Sequence, residues 1–329
     1  MEQAQPLFDW EKAGEHEFGK SVETPLGSFH VMDRPSAVEP TRGNVVCIHG
    51  FGDNSFTFLH IADALARAGF RVVAFNFLNR LGSSERSDKR HFTSDFYVEQ
   101  IEAVVQALLP SASFGVIGHS MGGLLAGIFT DKHPDRVDWL AMLTPAGQFP
   151  KPKMMTLVKL LPKFMVSSAF GGLSSQRDAW QQSVIPENRS SDWFRCMMRE
   201  QERQFQRPGV EGRPAIVTAM VSTVRSFPLH ATPEWDNLLD RLGRGGRRVL
   251  VLWGQSDVTL PFGTDVSAQR YRARLPQAQH VIVPDAGHTP FNEQPGHALP
   301  ILCNFALEAA AVGRQAPSTS ALEYRDAPK

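Results

Sequence analysis

Apolar positions along the chain fall into short runs that alternate with helical stripes. Val45–Ile48 is a β-branched run that ends in His49-Gly50-Phe51-Gly52. Ile61–Ala68 has helical spacing and stops at Gly69, and Phe70–Phe75 reads as the next strand. Asp95–Leu109 predicts a helix capped by Asp95, with Phe96, Ile101, Val104, Val105 and Leu108 on one stripe and Pro110 as its end. Phe114–Ile117 predicts a buried strand, Met121–Lys132 a small apolar helix and Val137–Leu143 another strand. The rhythm returns later in a strand at Arg248–Trp253, a helix at Thr264–Leu275, a last strand at His280–Val283 and a final helix at Gly296–Val312. Such alternation predicts an α/β fold, a mostly parallel sheet with helices on both faces.

Between Ala146 and Pro233 no strand–helix unit is clear. The stretch is rich in methionine and aromatic residues and is punctuated by proline and glycine. It reads as helices inserted between two sheet strands. The expected organisation is a core built from 1–145 and 234–314, a helical cap at 146–233, and a disordered polar tail at 315–329.

Composition narrows the function classes. Lys plus Arg number 34 and Asp plus Glu number 34, so bulk charge gives no reason to expect a nucleic-acid partner. Cys47, Cys196 and Cys303 lie far apart without metal-ligand spacing, which fits a reducing compartment. The amino-terminal stretch has no apolar core of a signal peptide, and no run approaches the roughly 20 apolar residues of a membrane span. A cytoplasmic location is the expectation. The oligomeric state is not legible in the sequence.

The most informative segment is Gly118-His119-Ser120-Met121-Gly122, a G-x-S-x-G pattern between a predicted strand and a predicted helix. The glycines relieve the clash of a very sharp turn, and Ser120 is held out at the carboxyl edge of the sheet. A serine hydroxyl is a weak nucleophile and needs a base. In chains that present a serine this way, an acid and then a histidine follow it. Asp257 sits at the tip of the turn after Val249–Trp253, and His288 lies in the loop after the last strand. The strand end at Leu143-Thr144-Pro145-Ala146-Gly147, an alternative place for the acid, has no carboxylate. Asp285 is too close in sequence to His288 to approach the imidazole from behind. His288 would take the Ser120 proton and later return it, with Asp257 fixing the tautomer. The tetrahedral oxyanion needs preorganised donors, and the N–H groups of Phe51 and Met121 are the candidates. His49 and His119 read as groups that pack and orient the loops.

Together, His49–Gly52, Gly118–Gly123, Trp253–Asp257 and Gly287–Pro295 resemble the α/β-hydrolase superfamily. The likeness spans about Gly43 to Leu307 and is nearest the lipase, esterase and carbon–carbon hydrolase group, whose cap follows the sixth strand. It implies a serine hydrolase that needs no metal or organic cofactor. Epoxide hydrolases and haloalkane dehalogenases carry an aspartate where this chain has Ser120. Ring-cleavage carbon–carbon hydrolases often carry Asn before the serine, where this chain has His119. The chain departs from the group after Phe75, where Asn76 replaces the usual acid and Asn79 and Leu81 replace glycines; Asn79 can still adopt a left-handed turn.

The cap is expected to choose the substrate. Met154, Met155, Phe164 and Met165, with His119 and the Phe51 side chain, are the candidate pocket residues for an apolar, adaptable site. The expected substrate is a small-molecule ester with an apolar acyl or aromatic portion, such as a monoacylglycerol-like lipid. Two alternatives stand beside it: hydrolysis of a carbon–carbon bond in a β-diketone-like ring-cleavage compound, and a binding protein without turnover. The excess of Lys and Arg in the cap reads as a solvated face, with contact to an anionic membrane interface as a weaker alternative.

Overall fold

The computed structural model describes residues 19–85, 91–152, 161–162, 165–166, 173–207, 209, 214–260 and 267–313. The expected tail and three candidate pocket residues, Met154, Met155 and Phe164, lie outside them.

Eight strands form one sheet: β1 (Lys20–Thr24), β2 (Gly27–Arg34), β3 (Gly43–Ile48), β4 (Phe70–Phe75), β5 (Phe114–His119), β6 (Val137–Leu143), β7 (Arg248–Gly254) and β8 (Gln279–Val283). Their order is β1-β2-β4-β3-β5-β6-β7-β8. β2 runs antiparallel to β1 and β4, and the pairings from β4 through β8 are parallel. The amino-terminal hairpin went unpredicted. β1 offers only Val22 as an apolar residue, but β2 buries Phe29 and Val31 at alternate positions, a period-two signal that was available.

Side-chain alternation in the central strands divides the core. Val46 and Ile48 of β3 face one layer, and Val45 and Cys47 face the other. The first layer is covered by α2 (Ser94–Leu108), α3 (Met121–Lys132), α7 (Pro233–Arg244) and α8 (Ser267–Arg274). The second is covered by α1 (Leu59–Arg67) and α10 (Pro295–Gly313), with the short α9 (Pro290–Glu293) beside it. Helices on both faces are what the sequence pattern predicts. Cys47 is buried, and burial pushes its thiol far above the ordinary range, as for an inert small hydrophobe.

One cap assignment is corrected. The α2 N-cap is Thr93, whose side chain accepts from Phe96 N–H, while Asp95 lies in the first turn and pairs with Lys132 Nζ at 2.7 Å. Asp is the better cap on propensity, but Thr93 has the extended N-cap backbone, φ −86° and ψ 169°, while Asp95 is already helical.

The chain leaves the sheet after β6 and re-enters it at β7. The described part of this insert holds α4 (Leu173–Ser183), α5 (Asp192–Gln206) and α6 (Ala215–Ser226). Ser191 caps α5, whose Trp193, Phe194 and Cys196 are buried. Met220, Val217, Val221 and Val224 of α6 form a separate small apolar cluster with Phe205. Thr232 then caps α7, Pro233 opens it, and α7 returns to pack on α3.

Candidate active site

The turn from β5 into α3 is the sharpest feature at the carboxyl edge of the sheet. Ser120 has φ 55° and ψ −119°, a conformation that costs a non-glycine residue of order 1–3 kcal/mol and persists only where the surroundings enforce it. A Cβ on Gly118 would lie 2.1 Å from Gly122 O, and one on Gly122 would lie 2.0 Å from Ile48 O. The two glycines therefore let α3 fold back over β5 and press against β3. Ser120 N–H donates to Leu143 O at 2.9 Å, and Ser120 O accepts from Ala146 N–H at 3.0 Å, tying the elbow to β6. Met121 is the first residue of α3, so its N–H belongs to the turn that has no intrahelical acceptor.

Asp257 and His288 meet from neighbouring loops. Asp257 Oδ2 accepts from His288 Nδ1 at 2.9 Å. Asp257 Oδ1 accepts from the N–H groups of Thr259 and Leu260, both at 2.9 Å, so the carboxylate cannot rotate away. The His288 main chain is held at both ends. Its N–H donates to Ser183 O at 2.8 Å, at the end of α4. Its carbonyl accepts from His119 Nε2 and from Thr144 Oγ1, each at 3.0 Å. Glu293 braces the same loop by accepting from Thr289 N–H at 3.1 Å and from Ile185 N–H at 2.9 Å. Burial pushes the His288 imidazole towards the neutral form. The charge and hydrogen bond of Asp257, with Glu293 and Asp53 further away, outweigh burial and hold its pKa above the usual value. Asp285 is exposed on a separate outer groove and takes no part in this pair.

Ser120 and His288 line the same cavity, of about 290 Å³. No hydrogen bond joins their side chains among the described residues, and such contacts commonly tighten only when substrate binds. Trp180, Trp193, Phe194, Met197, Met198 and Met220 supply most of the apolar wall. Phe51 and His119 also line it. Met165 does not: it is 46% exposed, and among the described residues the methionines that line the cavity come from α5 and α6. Helical phase, which a count of methionines does not carry, decides which side chains of the insert face inward.

The loops behind the cavity are buried and polar. His49 Nδ1 donates to Gly50 O at 2.9 Å and its Nε2 accepts from Phe77 N–H at 3.2 Å, which fixes a neutral ring. Burial and the nearby Arg80 lower its pKa to about 4. Asn76, in place of the usual acid, accepts from Ser55 N–H at 2.6 Å and donates to Leu81 O at 2.7 Å. Asn79 has φ 62°, so it takes the left-handed turn normally given to glycine.

A family model for the alpha/beta hydrolase fold matches residues 43–295. The chain belongs to the α/β-hydrolase fold family. Solved members superpose along almost its whole length. A membrane phospholipase A superposes with a TM-score of 0.67 at 20% identity, covering 91% of this chain and 87% of that one. A thermophilic esterase from Thermogutta terrifontis gives 0.68 at 18% identity, covering 89% and 99%. A 2-hydroxy-6-oxo-6-phenylhexa-2,4-dienoate hydrolase from Rhodococcus gives 0.67 at 20% identity, covering 88% and 98%. Among curated relatives, a serine hydrolase-like protein of Danio rerio is 38% identical over 112 residues, 34% of each chain. The bifunctional epoxide hydrolase 2 of Rattus norvegicus is 30% identical over 131 residues, 39% of this chain and 23% of that protein. These matches span about a third or less of the length of the curated relatives. Among the described residues of this α/β-hydrolase-fold chain, no helix is long and apolar enough to cross a membrane.

Proposed function

We propose that the chain is a serine-dependent carboxylic-ester hydrolase. One observation carries the reading: an imidazole oriented by a locked carboxylate lines the same apolar cavity as a serine held at φ 55° on a strand-to-helix elbow. Ser120 attacks the ester carbonyl while His288 Nε2 takes its proton. The hydrogen bond from Nδ1 to Asp257 leaves Nε2 as the basic nitrogen and stabilises the imidazolium that forms. The N–H groups of Phe51 and Met121 face the developing oxyanion. His288 then protonates the departing alcohol, and water, activated by the same imidazole, releases the acid from the acyl-enzyme.

The insert at 146–233 acts as the cap over this chemistry, since α4, α5 and α6 contribute most of the apolar wall. A cavity of about 290 Å³ lies at the small end of ligand pockets, roughly 300–1,000 Å³. It favours a short or medium acyl chain, or a single aromatic ring, over a long-chain lipid.

A fluorophosphonate probe tests the mechanism. Labelling of the unmodified protein that vanishes in Ser120→Ala is the expected result, and labelling that survives the substitution refutes it. Substrate class is read from nitrophenyl esters of rising chain length assayed beside a ring-cleavage product. Turnover of the ring-cleavage product alone would replace the ester reading by carbon–carbon hydrolysis.

A further inference from the structure

One stretch of the cavity wall is polar. It is formed by Asp53, on the loop after β3, Gln201, from α5, and His119. Their hydrogen bonds run in a fixed direction. Leu81 N–H donates to Gln204 Oε1 at 3.4 Å, Gln204 Nε2 to Gln201 Oε1 at 2.7 Å, and Gln201 Nε2 to Asp53 Oδ1 at 2.9 Å. A main-chain N–H only donates and a carboxylate only accepts, so neither amide can be turned over without breaking an end of the chain. Asp53 Oδ1 also accepts from Asn54 N–H at 2.8 Å.

The second Asp53 oxygen is left differently. Oδ2 faces His119 Nδ1 at 3.5 Å, without a hydrogen bond. His119 Nε2 donates to the His288 carbonyl, so a neutral ring spends its only proton there and turns a lone pair towards Asp53. Burial alone would raise the Asp53 pKa. The N–H donors of Asn54 and Gln201 on Oδ1 oppose it and favour the ionised carboxyl. Gln201 is 3% exposed, and its amide has a second hydrogen with no acceptor among the described residues. An acceptor and a donor, both unmet, thus stand side by side on the wall of an apolar cavity. A hydroxyl answers both, because it donates and accepts. A substrate carboxylate would meet the charge of Asp53, and an ammonium would meet the Gln201 N–H.

We propose that Asp53 Oδ2 and the second amide hydrogen of Gln201 form a hydroxyl-recognition subsite, so that the preferred substrate is a hydroxyl-bearing ester. The proposal rests on the serine-esterase reading and deepens it. The subsite is close to the reacting centre: a Cβ on Gly50 would lie 3.1 Å from Ser120 Cβ and 3.5 Å from His119 Nδ1. The recognised hydroxyl is therefore only a few bonds from the scissile carbonyl.

Isosteric ester pairs test it. Hydroxyethyl butyrate against propyl butyrate probes the alcohol side, and ethyl β-hydroxybutyrate against ethyl isovalerate probes the acyl side. Each ester is read by kcat/KM and by protection of Ser120 from the fluorophosphonate, which registers binding even where turnover is slow. In the unmodified protein, at least one hydroxyl ester should exceed its methyl partner by about tenfold or more. Asp53→Asn keeps its oxygen towards Asn54 and Gln201 and turns its amide nitrogen to the cavity, and Gln201→Met removes the donor. Each should bring the ratio to within about threefold of unity, and a ratio is insensitive to loss of folded protein. Equal values for both pairs in the unmodified protein, or a preference that survives Asp53→Asn, overturn the subsite. Failure to label Ser120, or hydrolysis that persists in Ser120→Ala, overturns the serine reading instead.

Discussion

The sheet edge and the insert solve different problems with different materials. At the edge, Ser120, Asp257 and His288 are fixed by main-chain groups: a strained elbow, two N–H donors on one carboxylate, and a peptide held at its N–H and its carbonyl. Hardly any freedom remains there. The insert contributes methionine and tryptophan side chains from separate helices to the apolar wall of the cavity. On the proposed mechanism, the contrast teaches that the reaction type resides in the backbone of the sheet, while the choice of substrate resides in side chains that can be exchanged. The two halves are joined by many hydrogen bonds, and at two of them, Ser183 O on His288 N–H and Ile185 N–H on Glu293, the insert braces the His288 loop.

The strongest way to break this division is Ser120→Ala. Activity should fall by about a millionfold, towards background, with little change in melting temperature. A variant that keeps measurable Ser120-independent turnover would place the chemistry elsewhere. Asp257→Asn should cut kcat by about 10⁴-fold and also move the pH profile. His288 must be neutral to act as base, and Asp257 raises its pKa, so kcat/KM rises with pH through a value above the ordinary imidazole range. Removing the charge of Asp257 should shift that limb to lower pH. An unmoved limb would mean that another group controls it.

The sheet half also makes a prediction about stability. Burial holds His60 down to about 4, although Asn292 and Asp63 oppose it. The unfolded chain binds a proton at His60 near pH 6.5 and the folded chain only near 4, so stability is lost as pH falls through that window. The contribution is at most about 3 kcal/mol. His60→Gln should flatten the fall of melting temperature between those pH values, and an unchanged slope would contradict it. The smallest effect belongs to the insert. Met197→Ala and Met198→Ala should alter the ratio of kcat/KM between long and short acyl esters by about tenfold, while labelling by a compact fluorophosphonate changes by less than about threefold. A large loss of labelling would show that the insert shapes the reacting centre as well as the pocket.

The same contrast explains what could be read in advance. Strands β4 and β6 and helix α3 have the predicted limits, because buried parallel strands and their helices leave unbroken apolar runs bounded by glycine or proline. The meeting of Asp257 and His288 follows from strand order, since each lies in the loop after one of the last two strands. Asp53, Gln201, Ser183, Thr144 and Glu293 were not. Their positions depend on which side chains meet across loops far apart in sequence, and none carries a local pattern. Met165 failed for a related reason, since composition says that a segment is apolar but not which face turns inward.

Thr144 has a consequence for redesign. It stands at the end of β6, the alternative station for the acid, with φ 41°, its N–H on Leu252 O and its hydroxyl on the His288 carbonyl. That position already clamps the His288 peptide. An engineer who moves the carboxylate from position 257 to position 144 would take away one of the two donors that hold the imidazole's backbone. On the proposed mechanism, the acid cannot be transplanted between strands by a simple two-residue exchange.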